Sequence, residues 1–460
     1  MKLNYGISDR PPFPRLISLA LQQMMAILTA TTALPMLVGH GVSPAAAMFG
    51  AGAGTFLYLL LTGLKSPMFL GSSFTFLGCM LAAFAGGVSV GLGMLGLIIG
   101  ATAAGLVYVV LAIVVKKVGV DWIERLMPPV VIGPSIAIIG LSLAGNAVSN
   151  MRTGNVMKIL DTGAGVPVAS EYVTIICALV TLAVTIISSV YGNNILKLIP
   201  FLMGMVAGYA VAALFTVAGN VLSIDALKIV DFEIFSRTMF PDGKISLASF
   251  ISVPDFVFIK AIDGVSELSV SYVITILTAY IPVALAALAE HIGDHKNLSS
   301  IIGKDLLKDP GMERTLLGDG LGSIVGAFFG GCPNTTYGEA IACVALTGNA
   351  STITTLAASL GCIGFAFFTP FMAFISSMPS CVMGGICVAA YGFITASGLR
   401  MIQNIDLNEN RNIFVISVIL ITGAGQLSLN FGAVTITEVA SALVLGILTN
   451  LLMSRSRYQG

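Results

Sequence analysis

Within the long apolar stretches of this sequence ionisable side chains are sparse, so the few present mark where chemistry can occur. Four of them close the stretch AALAEHIGDH: Glu290, His291, Asp294 and His295. Asp319 lies between glycines in LLGDGLG, Glu339 ends NTTYGE, and Glu438 stands alone in TITEVAS. A charge at the centre of a bilayer costs at least ~2.5–3.5 kcal/mol, so such groups are expected to face a polar cavity. Glu290 and Asp294 are four residues apart and share one helix face. Two carboxylates that close do not readily both ionise, so one is expected to hold a proton that water can exchange. A carboxylate also accepts two hydrogen bonds side by side, which suits a planar ligand with adjacent N–H donors. Glu339 is expected to meet the Glu290 face across such a cavity. At Asp294, followed by His295 and Lys296, a solvated helix end is an equally open reading. His291 and His295, with no cysteine partner and a lysine beside them, read as a solvated helix end rather than a zinc site. Asp319 reads as a helix-pairing or coupling acid, and Glu438 as polar glue between helices. His40 marks the outer end of the first span. The GDG triplet lacks the strand–loop–helix and lysine of a phosphate loop, and no nucleophile–base pair is present. Catalysis, a cofactor and a metal site are therefore not indicated.

The elements that hold these groups are set by composition. Charged residues make up 10% of the 460 and hydrophobic ones 56%, with 22 Lys+Arg balancing 22 Asp+Glu. A soluble domain carries about 25% charged residues, and zero net charge gives no basic field for nucleic acid. The seven cysteines are an odd number without CxxC spacing, which implies no disulfide framework. The first apolar run, Leu16 to Val38, is expected to stay as a membrane helix rather than be cleaved. Hydrophobic run length gives about fourteen spans, and so an all-α polytopic membrane protein. They fall at about 15–39, 45–63, 67–86, 91–115, 129–148, 168–191, 195–217, 269–292, 312–330, 334–348, 351–376, 379–398, 411–428 and 432–453. Most Lys and Arg, among them Lys2, Arg15, Lys65, Arg125, Lys197, Lys304, Arg400 and Arg457, then fall on the side of the N-terminus. By the positive-inside rule both termini are cytoplasmic.

Two of the spans are interrupted. GSSFTF (Gly71 to Phe76) and CPNTTYGE (Cys332 to Glu339) combine residues that prefer extended backbone with Gly and Pro, which cost helix stability. Extended backbone at this depth must be buried in protein or line a cavity. Each piece is expected to lead into a half-helix whose free N–H groups point at one central site. The two pieces lie seven spans apart, as do the openings PPVVIGPSIAIIG and PSCVMGGICVAAYG, which suggests an inverted repeat.

AEHIGDH, KDLLKDPGMERTLLGDGLGS, PNTTYGE, GSSFTF and VMGGICVAAYG closely resemble the bacterial uracil permeases of the nucleobase–cation symporter (nucleobase–ascorbate transporter) family. The resemblance covers nearly the whole membrane region. It implies proton-coupled uracil uptake across the bacterial inner membrane, with Na⁺ coupling left open, by a lipid-embedded homodimer. It implies two inverted seven-span repeats, with a core domain in 1–116 and 263–377. A gate domain would occupy 117–262, with an extracellular loop, and 378–460. It further implies that Glu290 binds the nucleobase ring, that Glu339 binds it from the tenth span, and that backbone at Phe74 and Gly338 assists. Tyr337 and Tyr391 would lie close by, and proton coupling would run through Asp294, Glu290 and Asp319. The sequence departs from uracil permeases in having Asp294 where a His is frequent and Ala340 where Asn is frequent. An acid at that spacing is a feature of the purine (xanthine or uric acid) permeases, the alternative substrate class, whose tenth-span motif carries Gln-Asn instead of YGE. An anion transporter of the related sulfate-carrier fold is a more distant alternative, since two acids at the ligand point disfavour an anion.

Overall fold

The computed structural model describes residues 3–119, 128–159, 165–193, 196, 199–240, 244–403, 405–431, 434–436 and 438–455. Lys2, Arg125, Lys197 and Arg457, used above for orientation, lie outside the described residues.

Helices dominate. α1 (Phe13–Val38) and α2 (Pro44–Leu61) are followed by strand β1 (Leu70–Ser72), a 3₁₀ turn at Phe74–Phe76 and the short α3 (Leu77–Ala83). Next come α4 (Val90–Val118), α5 (Pro129–Ser142), α6 (Ala144–Met151), a hairpin of β2 (Met157–Ile159) and β3 (Gly165–Pro167), α7 (Glu171–Tyr191) and α8 (Pro200–Leu222). A long connection holds α9 (Glu233–Met239) and α10 (Val257–Ala261). The second half contains α11 (Val270–Ile302), α12 (Met312–Gly330), β4 (Asn334–Thr336), α13 (Gly338–Thr347), α14 (Thr352–Phe365), α15 (Thr369–Ser376), α16 (Ser380–Ile402) and α17 (Asn410–Ala424). It ends with β5 (Leu429–Phe431), β6 (Val434–Ile436) and α18 (Glu438–Arg455). Among the described residues, eight helical stretches are long and apolar enough to cross a membrane.

Three expectations about span limits are corrected. α11 runs on to Ile302 instead of ending near residue 292, so AEHIGDH lies inside a helix. Polar residues do not stop a helix; the left-handed Gly303 does, its N–H capping the carbonyl of Ser299. The run at 351–376 divides into α14 and α15. The run at 432–453 opens as paired strand, which puts Glu438 in the first turn of α18.

The helices sort by packing into two groups. α12 lies against α2 and α4, α14 against α1 and α2, and α11 against α4. In the other group, α16 packs on α5, α6 and α7, α8 on α7, and α17 on α5 and α18. Glycine sets the spacing of the first group. A Cβ on Gly50 would stand 2.5 Å from the Gly326 carbonyl, and one on Gly105 2.5 Å from that of Gly320, so α2, α12 and α4 touch backbone to backbone. At the N-terminus, residues 3–9 strap across the end of α13. The backbone N–H and side-chain amide of Asn4 reach Gly348 O (2.7 Å) and Thr347 O (2.9 Å), and Ala350 N–H reaches Tyr5 O (2.9 Å). All seven cysteines are buried and free.

Candidate functional site

β1 and β4 run antiparallel, pairing Leu70 with Thr336, Gly71 with Thr335 and Ser72 with Asn334. Their outer polar groups are met by the packed helices. Thr55 Oγ1 both accepts from Leu70 N–H and donates to Leu70 O (3.0 Å each), and Asn334 Nδ2 donates to Gly50 O (2.9 Å). This satisfaction lets extended backbone lie among the membrane helices. Each strand leads into a half-helix whose first turn has no capping bond from the N-cap side chain, α3 after Phe76 and α13 after Tyr337.

Glu339 stands in the first turn of α13 and is half-buried, while Gly338 beside it faces open space. Opposite, Glu290 and Asp294 project from the middle of α11, also half-buried, and Gly293 on the same helix again faces open space. Thr75 Oγ1 donates to Glu290 Oε2 at 3.2 Å, tying α11 to the turn before α3. Glu290 lies near enough to Glu339 and Asp319 for their charges to interact, and Asp294 near enough to all three. The Oδ2 atom of Asp294 is buried, so this acid is no solvated helix end. Phe74 and Tyr391 meet edge to face, their ring centroids 6.0 Å apart. The hydroxyl of Tyr391 is buried beside Cys387. The Tyr337 ring packs on Gly71, where a Cβ would come within 2.9 Å of it, and joins an apolar cluster with Met24, Phe69 and Ala340.

Asp319 is 1% exposed and directed at α11, where Oδ2 meets His291 Nδ1 at 2.6 Å. Two glycines seat it. A Cβ on Gly318 would strike the Tyr58 ring (2.7 Å) and one on Gly320 the Gly105 carbonyl (2.6 Å). His291 and His295 are both fully buried, which corrects their assignment to a solvated helix end. No group of three metal-ligating side chains occurs among the described residues. Sequence reasoning also passed over Thr75, though GSSFTF contained it, and the Tyr58–Ser66 pair, which nothing local distinguishes. His40 is exposed beyond the end of α1 and stacks on Phe84, centroids 4.4 Å apart. Grooves of about 390 Å³, bounded by Asn4, Tyr5, Arg15 and Thr347, and about 300 Å³, bounded by Met36, Asn150, Asn155 and Ser380, lie away from these acids. On the loop before α12, Lys304 and Lys65, each 2.8 Å away, hold the Asp309 carboxyl down to about 2.

Extended segments feeding two half-helices toward acids on a neighbouring long helix are an arrangement found in membrane transporters. Residues 14–432 match the family model described as Permease family (Xan_ur_permease), and the chain belongs to that family. It is a multi-pass membrane transporter and not an enzyme. The uracil permease of Bacillus caldolyticus is 37% identical over 97% of this chain and 94% of its own length. That of Escherichia coli K12 is 33% identical over 96% and 92%. Among solved structures, the murine Slc26a9 anion transporter in its inward-facing state superposes with a TM-score of 0.64 at 12% identity, covering 98% of this chain and 70% of that one. The transmembrane domain of the cyanobacterial bicarbonate transporter BicA gives 0.54 at 14% identity, covering 97% and 99%. At such identity the likeness concerns the fold alone.

Proposed function

We propose that the chain takes up uracil across the bacterial cytoplasmic membrane by proton symport, as a homodimer with both termini inside. The observation that carries this reading is the half-buried Glu339 at the uncapped start of α13, facing the half-buried Glu290 of α11. Uracil is planar and neutral, with ring N–H donors and two carbonyl oxygens. Carboxylates accept from the N–H groups, and the free N–H groups at Gly338 and Phe74 donate to the carbonyls. An anion would meet three acids here, which separates this site from the anion carriers that share the fold.

A neutral solute accumulates only when its movement is tied to an ion gradient. Glu290, Asp294 and Asp319 interact, so a proton on one of them relieves repulsion among all, and substrate at Glu290 changes where that proton sits. The two packing groups would supply the moving parts, α1–α4 with α11–α15 as core and α5–α8 with α16–α18 as gate. Uptake of labelled uracil into proteoliposomes, with pH recorded inside and with or without Na⁺, tests this. Protons should enter with uracil, and Asp294→Asn should keep binding while abolishing accumulation and flattening the pH dependence. Asp294→His should retain more coupling. Uptake driven by Na⁺ alone would overturn proton symport. Asp294 also fits a purine carrier, and preferential competition by xanthine would move the substrate to that class.

A further inference from the structure

Residues 290 and 294 point one way from α11, and residues 291 and 295 lie about 100° around the same helix. The second pair is fully buried and reaches two other helices. His291 Nδ1 meets Asp319 Oδ2 at 2.6 Å, and its Nε2 meets Thr315 Oγ1 at 3.1 Å, both on α12. One turn on, His295 Nε2 meets the Tyr58 hydroxyl of α2 at 2.8 Å, and Tyr58 meets Ser66 at 2.8 Å. His295 Nδ1 lies 2.8 Å from the carbonyl of His291, which can only accept, so Nδ1 bears the hydrogen. A neutral His295 then has Nε2 free to accept from the Tyr58 hydroxyl, which also lies within reach of Ser66 Oγ. The Tyr108 ring of α4 stands edge-on to His291, centroids 6.0 Å apart.

The backbone of α11 rests on α4 rather than on α12. The His291 side chain therefore spans the space to α12, and its contact is one restraint on rotation of α11. Carboxylates about 6 Å from a helix axis move ~2 Å for a turn of about 20°. Misplacement by ~1 Å at a reacting or binding group can cost on the order of a hundredfold.

We propose that His291 is a positioning residue of the transport site, its Nδ1 hydrogen bond with Asp319 setting the direction in which α11 presents Glu290 and Asp294. The proposal rests on reading Glu290 as a ligand carboxylate, so its test has one arm that needs no substrate. His291→Asn keeps a hydrogen-bonding amide near the place of Nδ1, whereas His291→Gln extends its amide toward Thr315. Uracil binding in detergent should stay within about threefold for His291→Asn and weaken at least tenfold for His291→Gln, with melting temperatures of the two alike. In the second arm, Gly293→Cys is labelled with a membrane-impermeant maleimide, the native cysteines all being buried. The labelling rate should change several-fold with His291→Gln and not with His291→Asn. Should His291→Gln not fold, Asp319→Asn against Asp319→Ala draws the same contrast from the other partner. A shift in labelling without any uracil binding by the parent protein upholds the positioning role and removes uracil as the ligand. Equal behaviour of Asn and Gln in both arms overturns the proposal.

Discussion

The two arms that enter the site from β1 and β4 share a backbone plan and differ in what they offer a ligand. The β4 arm passes through Tyr337 directly into the ten-residue α13, with an acid in its first turn. The β1 arm passes through a 3₁₀ turn into a seven-residue helix and brings no charge, only Phe74, Thr75 and backbone. Its hydroxyl is spent on Glu290, the acid of the facing helix. On the proposed reading the β4 arm would bind through its charge and the β1 arm through backbone alone while steadying Glu290, and a flat ligand between them would have one charged edge to align on. A pair of identical arms would leave its orientation undecided.

That contrast can be broken by substitution. Glu339→Gln should weaken uracil binding at least tenfold, about 1.4 kcal/mol, with folding intact; calorimetry in detergent reads it directly. Unchanged affinity would remove the charged arm from the site. Gly71→Ala tests the coupling between arms, since its Cβ would press on the Tyr337 ring. A loss of roughly 1 kcal/mol in stability is expected, at the low end for overpacking because the ring can shift. Thermal unfolding with and without uracil should reveal it, and an unaltered midpoint would mean that the arms are not in register. Thr75→Ala removes one hydrogen bond to Glu290, worth about 0.5–1 kcal/mol, so binding should fall roughly two- to fivefold. A loss as large as that of Glu339→Gln would erase the proposed division of labour.

Asp309, remote from both arms, supplies the smallest effect. Its carboxyl is held at about 2, below the ordinary value near 3.9, by Lys304 and Lys65. The stabilisation this gives is present above that ordinary value and fades as pH falls toward 2. The pair is exposed, so Asp309→Asn should leave uracil uptake unchanged and alter the melting point only slightly at neutral pH. The difference from the parent protein should vanish in acid. A change in uptake would tie the loop to the transport cycle.

Legibility in the sequence followed local chemistry. The interrupted spans were readable because Gly, Pro and β-favouring residues disfavour helix, and GSSFTF overlaps β1 while PNTTYGE contains β4. The end of α11 was misread because AEHIGDH looks like an aqueous terminus when polarity alone is weighed. The environment of that segment depends on α2, far away in the chain, and on how α12 folds back against it. Glu438 was misplaced for the same kind of reason, since an apolar run does not distinguish helix from a strand pair ahead of a helix.

The sequence by itself determined that this is a polytopic membrane protein, where its backbone must break, and which few acids a membrane would tolerate. Composition and local propensity act at each residue regardless of the partner, so no contact map was needed for them. Tertiary structure decided which acids are half-buried and which are locked away. Glu290 and Asp294 are half-buried while Asp319, His291 and His295 are sealed, although all five lie in similar small-residue, apolar surroundings of the chain. Their difference arises where glycines let α2, α4 and α12 close backbone to backbone, and that closeness exists only once all three helices are assembled.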